Sequence, residues 1–250
     1  MHDLISVAPR ARAAVAACLT GLLLAISANT SQAALTLSNT RIVHESDKRS
    51  TSIVVRNPSA QAFAVQAWVN TEADDNTSPV PLLPSPQLFS LAPGNEQLLQ
   101  LNALPNDLPD DRESLFYLNV QEIPQAEPDQ ANALSIALRT RLKVFYRPHS
   151  IKGTPARQID KLQFTLGTAN GVVQLLVNNP TPFHITFSHL KVSDSGQTSM
   201  LKNPAMVAPL STMAYPLDIR PRPPMKVTFG IINDFGGYTT PTTRPVTLEP

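Results

Sequence analysis

Cysteine is almost absent from this sequence of 250 residues, which contains only Cys18. Cys18 lies in an apolar stretch near the N-terminus, residues 13–26, that indicates a removable leader. Without the leader the chain has no cysteine, which excludes a disulfide, a thiolate nucleophile and a cysteine-ligated metal. An exported protein that has no disulfide must depend on its hydrophobic cores for stability.

The first 33 residues have the organisation of a signal peptide. Arg10 and Arg12 supply a positive segment ahead of the apolar stretch, and Ser31-Gln32-Ala33 offers small residues at the positions that a signal peptidase reads. We predict a signal peptide at 1–33, cleaved after Ala33. A membrane anchor is the weaker alternative, because the apolar run is short for about 30 Å of hydrocarbon. A lipoprotein acylation site at Cys18 is weaker still, because most of the apolar run follows it.

Net charge and glycine are both low, whereas proline is abundant. The 20 basic and 19 acidic residues nearly cancel, and they still do once the leader is removed, so nothing indicates a nucleic-acid partner or stable insertion into a membrane. The chain has 24 prolines and 9 glycines, which favours many short strands with proline-marked turns over long helices. Roughly 217 residues after the leader suffice for one large domain or two small ones.

Short strand patterns recur along the chain, and no convincing amphipathic helix interrupts them. One series ends near Tyr146, a linker-like segment follows at 147–155, and a second series runs to Leu248. We therefore predict one all-β domain at 34–149 and another at 150–250. The proline-rich segment 79–86 is predicted to be a loop. The predicted strands include Ser50–Arg56, Ala62–Asn70, Gln87–Leu91, Gln97–Leu101, Leu115–Ile123, Ala133–Tyr146, Leu162–Leu166, Gly171–Val177, Phe183–Val192, Met213–Ile219 and Val227–Ile232.

Catalytic and metal-binding patterns are missing from the sequence. The histidines at 44, 149, 184 and 189 are scattered, and no His-Glu-x-x-His, Gly-x-Ser-x-Gly or phosphate-cradling glycine loop occurs. Each histidine is interpreted as a surface residue or a satisfied core residue. The acidic pairs at 74–75 and 110–111 are interpreted as solvated turns. We predict no catalytic residues, no metal, no cofactor and no enzymatic activity.

The longest predicted strand, Ala133–Tyr146, alternates in a regular way. Leu134, Ile136, Leu138 and Leu142 occupy even positions, and side chains two apart on a strand share one face. Taken alone, this alternation is what any half-buried strand of a sandwich shows.

Five segments in order along the chain resemble one family. Residues Leu108–Pro124 strongly resemble the signature segment of the periplasmic pilus (fimbrial) assembly chaperones. The other matches are Asn39–Val43, Leu142–Pro148, Asn179–Phe183 and Asn233–Gly237. The resemblance implies an all-β fold of two immunoglobulin-like β-sandwich domains, arranged as an L with an interdomain cleft.

The resemblance also implies a function in the periplasm. Members of the family bind pilin subunits by donor-strand complementation and deliver them to an outer-membrane usher. Carried onto this sequence, the donor strand presents Leu134, Ile136 and Leu138. Arg41 and Lys143 match the pair of basic residues that anchors the C-terminal carboxylate of the subunit.

Three further charged residues match an interdomain ion network of the family, namely Glu113, Arg147 and Asp234. Their implied role is to fix the angle between the domains. The connecting loop at 125–132 is short and polar, which resembles the short-loop branch of the family.

Other interpretations are weaker, and two questions stay open. A structural or adhesive surface protein is disfavoured because a pilin would need one incomplete sandwich and usually a cysteine pair. A secreted hydrolase is disfavoured because no catalytic cluster is found. The cognate pilin is not identified by the sequence. Whether the free protein covers its donor strand by forming a self-capping homodimer is also open, although an exposed apolar edge favours it.

Overall fold

The computed structural model describes residues 35–75, 77–124 and 137–248, which form two β-sandwiches. The predicted signal peptide at 1–33 lies outside this range and stays a prediction. The prediction of two β-sandwich domains is confirmed. The strands of the first sandwich are β1 Thr36–Leu37, β2 Arg41–Glu45, β3 Ser50–Arg56, β4 Phe63–Asn70, β5 Leu82–Ser85, β6 Leu88–Leu91, β7 Glu96–Ala103, β8 Ser114–Pro124 and β9 Arg139–Arg147.

The first sandwich packs a four-stranded sheet, ordered β1-β3-β7-β5, against a five-stranded sheet, ordered β2-β9-β8-β4-β6. Its core is built by alternation, because every second residue of a strand faces the opposing sheet. Ile53 and Val55 of β3, with Leu99 and Leu101 of β7, are almost fully buried in this way.

The second sandwich follows a four-residue helix, α1 Pro155–Gln158, and a 3-10 turn at Ile159–Lys161. Its strands are β10 Gln163–Ala169, β11 Val172–Asn179, β12 Phe187–Ser193, β13 Thr198–Met200, β14 Ser211–Pro216, β15 Met225–Ile231 and β16 Thr242–Leu248. They run in the order β13-β12-β15-β16-β10-β11-β14, with β10 and β16 parallel. Phe187 packs edge-on against both Phe229 and Tyr215 in its core.

The segment 79–86 is not entirely a loop, so that prediction was wrong. Leu82–Ser85 forms β5, which pairs antiparallel with β7 at the edge of its sheet. Pro84 is tolerated there because an edge strand needs backbone partners on one side only. Leu82 and Pro84 are buried and Leu83 is exposed, so the strand still alternates. The proline content concealed this pattern.

Two other strand predictions differ from the structure. The strand expected from Phe183 begins only at Phe187, because the preceding segment folds around Asn179, whose side-chain amide donates to the Phe183 carbonyl oxygen at 2.7 Å. The strand expected over Ala133–Tyr146 is observed as β9 from Arg139 to Arg147. Residues 133–136 of that prediction lie outside the described range.

Tyr215 gives the second sandwich a pH dependence that can be measured. Its buried hydroxyl donates to the Ala205 carbonyl oxygen at 2.6 Å, and burial raises the pKa of Tyr215 to about 12. A phenol in the unfolded chain titrates near pH 10, so above that pH the unfolded state loses its proton first. We expect the free energy of unfolding to fall between about pH 10 and pH 12.

Urea unfolding at pH 7, 10 and 11 checks this expectation. Tyr215→Phe should be less stable than wild type by about 0.5–1.5 kcal/mol at pH 7, because it loses one hydrogen bond. The deficit should shrink above pH 10, since phenylalanine does not titrate. Exposed Tyr238 supplies the control variant, Tyr238→Phe. A deficit of Tyr215→Phe that is constant across the three pH values would contradict this account.

Candidate functional site

Strand β9 has an open edge along its N-terminal half. It lies between β8 and β2 in the five-stranded sheet. Antiparallel pairing with β8 covers β9 from Arg139 to Tyr146, whereas parallel pairing with β2 begins only at Lys143. Within the described ranges, the stretch Arg139–Leu142 therefore has a strand on one side only. Backbone groups on such an edge are available to an added strand.

Leu138 directly precedes the first residue of this open edge. Its side chain is 48% exposed, and its carbonyl oxygen accepts a hydrogen bond from the Glu122 backbone N–H at 3.0 Å. Leu142, on the same side of the strand, is 8% exposed and belongs to the first core. The apolar side of the strand thus passes from the interior of this protein to its surface. Leu134 and Ile136, predicted to continue it, lie outside the described residues.

Arg41 and Lys143 lie directly opposite each other where β2 begins to pair with β9. The Arg41 side chain reaches the second sandwich, where its Nη1 donates to the Ile232 carbonyl oxygen at 3.2 Å. Its guanidinium also lies 5.7 Å from the centre of the Phe145 ring. The Lys143 ammonium contacts the Met206 Sδ at 3.4 Å.

The two cations share a partly buried environment. Burial lowers the pKa of Lys143, and the positive charge of Arg41 lowers it further, against a weaker opposing effect of Glu72. Burial also lowers the pKa of Arg41, an effect opposed by the carboxylates of Asp234 and Glu113. Both shifts express the cost of holding charge away from water.

Neither cation is neutralised by a direct partner in the part of the chain that the structure describes. No carboxylate there forms an ion pair with Arg41 or Lys143. The Arg41 Nε is buried without a hydrogen-bond acceptor. Two partly desolvated cations without an ion-pair partner are chemically able to bind an anion, and a carboxylate can accept charge-assisted hydrogen bonds from both.

Glu113, Arg147 and Asp234 are brought together by the structure across the boundary between the sandwiches. The Arg147 Nε donates to the Glu113 Oε1 at 2.8 Å. The Arg147 Nη1 and Nη2 donate to the two Asp234 oxygens, each at 2.8 Å. The arginine thus bridges one carboxylate from the residue just before β8 and one from the loop after β15. Burial lowers the pKa of Arg147, but the two carboxylates outweigh it and leave that pKa raised.

His184 is a fourth member of this network that the sequence did not reveal. Its backbone N–H donates to the Glu113 Oε2 at 2.8 Å, and its ring Nδ1 lies 3.1 Å from the same oxygen. The histidine is 71 positions away from Glu113, so no local motif connects the two. The interpretation of His184 as a satisfied buried residue fits the geometry, but its partner is an interdomain carboxylate.

Two family models match the chain and together span most of it. The model described as the pili and flagellar-assembly chaperone, PapD N-terminal domain, matches residues 34–152. The model described as the pili assembly chaperone PapD, C-terminal domain, matches residues 157–243. The chain belongs to the pilus-assembly chaperone family. The resemblance stated from the five segments is confirmed, whereas the short-loop branch stays a prediction.

The relatives of this chaperone match it in sequence or structure over nearly their full length. Chaperone protein LpfB of Salmonella typhimurium is 36% identical over 221 residues, which cover 87% of this chain and 91% of the relative. The solved structure of the E. coli chaperone DraB has a TM-score of 0.71 at 29% identity, covering 84% of this chain and 97% of that one. The SafB chaperone, solved in complex with the SafA pilin of Salmonella enterica, has a TM-score of 0.73 at 26% identity, covering 87% and 98%.

The described residues of the chaperone offer neither a candidate metal site nor a helix that could span a membrane. They contain no group of three or more His, Cys, Asp or Glu side chains placed to hold a metal ion. They also contain no helix with the length and hydropathy needed to cross a membrane.

Gly236 lets the second sandwich of the chaperone approach the first. It has φ +83°, and a Cβ at this position would overlap the Oγ1 of Thr40. Gly94 has a similar φ of +71° but open space around it. Both alanine variants suffer the left-handed strain of about 1–2 kcal/mol. We expect Gly236→Ala to lose roughly 1–3 kcal/mol more, because the overlap displaces packed atoms.

Thermal unfolding of the two variants measures the difference. Thr40→Ala removes the overlapping oxygen, so the double variant Thr40→Ala/Gly236→Ala should regain most of the excess loss. Equal destabilisation by Gly94→Ala and Gly236→Ala would show that the contact with Thr40 does not limit the approach of the sandwiches.

Proposed function

We propose that this chaperone works in the periplasm, without catalysis, where it binds pilin subunits by donor-strand complementation and delivers them to an outer-membrane usher. The observation that carries the proposal is the open edge of β9 beside two unneutralised cations. An extended segment of a pilin can pair with the edge through backbone hydrogen bonds. The cations can bind the carboxylate at its end.

The apolar side chains supply the affinity in this proposal. Leu138 is already exposed at the start of the edge, and Leu134 and Ile136 would extend the same row. Burying one such side chain in a groove of the subunit contributes about 1.5–3 kcal/mol before the costs of association. Burial of three such side chains therefore gives enough free energy to stabilise a subunit whose groove is exposed because it lacks a strand.

The carboxylate anchor sets the register. A pilin chain has one C-terminal carboxylate, and a one-residue slip of the paired strand would turn its side chains to the opposite face. Binding that carboxylate at Arg41 and Lys143 fixes which residues oppose the donor strand. The solved complex of the related SafB chaperone with the SafA pilin supports a subunit as the partner.

A matched pair of leucine variants tests the proposal. Leu138 is 48% exposed on the donor side, and Leu98 is 50% exposed on β7 of the other sheet. Leu138→Asp should weaken pilin binding at least about 100-fold, since it places an unpaired charge in the groove. Leu98→Asp should stay within about twofold of wild type.

The measurement is periplasmic co-expression with each candidate pilin from the same source organism, followed by affinity capture and light scattering. The wild-type chaperone should form a one-to-one complex. Capture of no pilin by the wild type, or equal capture by Leu138→Asp and wild type, would refute the proposed function.

A further inference from the structure

The carboxylate anchor includes a contact from the second sandwich that the family resemblance did not supply. Lys143 belongs to β9 of the first sandwich, whereas Met206 lies in the second, in the segment between β13 and β14. The Lys143 Nζ and the Met206 Sδ are 3.4 Å apart. In the described parts of the chain, this is the ammonium's only side-chain hydrogen-bond contact, and its acceptor is uncharged.

Hydrogen bonds of the residues on either side hold Met206 in place. Val207 forms an isolated bridge with Ile185, with both N–H to oxygen distances at 2.9 Å. On the other side, the Ala205 carbonyl oxygen accepts from the Tyr215 hydroxyl at 2.6 Å. The thioether therefore contacts Lys143 from a segment that is hydrogen-bonded to the core of the second sandwich. The position of the sulfur is thus fixed by the fold.

The chemistry of the contact differs from that of other basic residues on the same strand. Arg139 pairs with the Asp74 carboxylate at 2.6 Å, and Arg147 pairs with Glu113 and Asp234. A thioether sulfur is only a weak acceptor and carries no charge. It can hold an ammonium group in position while leaving its charge available to an incoming anion.

We infer that Met206 is a positioning residue of the carboxylate anchor, which keeps Lys143 oriented and charged but not neutralised. This inference rests on the proposed function and extends the anchor to the second sandwich. Recognition of the C-terminal carboxylate then depends on the placement of both sandwiches. The first supplies Arg41 and Lys143, and the second supplies the sulfur that orients Lys143.

The test uses a synthetic peptide that matches the last strand of the captured pilin, prepared as the free acid and as the C-terminal amide. The ratio of the two affinities reports carboxylate recognition. The wild-type chaperone should prefer the acid by at least about tenfold, as expected for a charge-assisted contact. In Met206→Glu, a carboxylate of the protein occupies Lys143, and the ratio should fall to near one.

Met206→Leu is the matched control, because it keeps the size and the absence of charge. It removes the sulfur that contacts Lys143, so the preference for the acid should fall by about two- to threefold, far less than in Met206→Glu. A second readout is the NMR titration of the Lys143 side chain without peptide, where Met206→Glu should raise the pKa of Lys143. Misfolding that exposes Lys143 would also raise its pKa, because it relieves the burial that lowers it. The titration is therefore compared only between proteins whose NMR spectra keep the chemical-shift dispersion of the folded wild type.

The outcomes separate the two proposals. If the wild type binds acid and amide equally, the carboxylate anchor fails and the inference about Met206 fails with it, while donor-strand pairing is decided separately by pilin capture and by Leu138→Asp. If the wild type prefers the acid and Met206→Glu keeps that preference, the inference about Met206 is overturned while the anchor stands. A preference in Met206→Leu equal to that of the wild type would also overturn it, because the sulfur would then not position Lys143. So would a loss as large as that in Met206→Glu, because packing and not charge would then be responsible.

Discussion

Alanine at Arg41 or Lys143 is expected to weaken pilin binding by about 10- to 150-fold for each residue, because each cation donates a charge-assisted hydrogen bond of roughly 1.5–3 kcal/mol. The two residues face each other across the β2–β9 pairing, so a single carboxylate can reach both. Their effects should not add in the double variant, since the carboxylate that remains unpaired is the same one.

Arg56→Ala is the control for loss of positive charge. Arg56 lies on β3 in the other sheet, is largely exposed and pairs with Glu96. Titration calorimetry or competition against labelled wild-type chaperone gives the affinities. Removal of Arg41 or Lys143 should have no effect on binding of an amidated peptide. Affinity at the wild-type level in both alanine variants would show that Arg41 and Lys143 do not anchor the carboxylate.

Glu113→Ala is expected to produce the largest loss of stability, about 3–5 kcal/mol, because it leaves the buried Arg147 with one carboxylate in place of two. The same change removes the Glu113 Oε2 that both the backbone N–H and the ring Nδ1 of His184 contact. The network joins the two sandwiches, so we also expect their relative placement to become less fixed. Pilin binding should weaken as a secondary effect. Arg41 belongs to the first sandwich and Met206 to the second, so the anchor depends on how the two are placed.

Urea unfolding measures the stability, and distances between spin labels placed on the two sandwiches report their placement. Asp111→Ala is the matched control, because Asp111 forms an exposed ion pair with its neighbour Arg112. Exposed pairs contribute about 0–1 kcal/mol, so this variant should be nearly as stable as wild type. Equal stabilities of Glu113→Ala and Asp111→Ala would show that the network does not hold the sandwiches together.

The sequence was sufficient to predict most strands, because alternation and punctuation are local properties. The placement of Leu142 in the first core follows from its position in such an alternation. Strand β5 was missed because prolines obscure a local pattern that the neighbouring β7 completes. The position of the start of β9 could not be predicted, since alternation alone does not say where a strand gains its partners.

The site was accessible from sequence only where a family motif marks it. Arg41, Lys143, Glu113, Arg147 and Asp234 lie in matched segments. His184 and Met206 are placed by contacts between residues 71 and 63 positions apart, which no periodicity encodes. Such contacts arise from tertiary packing of two sandwiches, so they become visible only in the folded chain.

Hydrogen exchange of the free chaperone and of its complex with a captured pilin tests the central claim most directly. If the open edge of β9 receives a strand of the subunit, peptides covering 137–142 should exchange at least about tenfold more slowly in the complex, while the strands of the second sandwich change little. A stable complex in which exchange over 137–142 is unchanged would contradict donor-strand complementation by this chain.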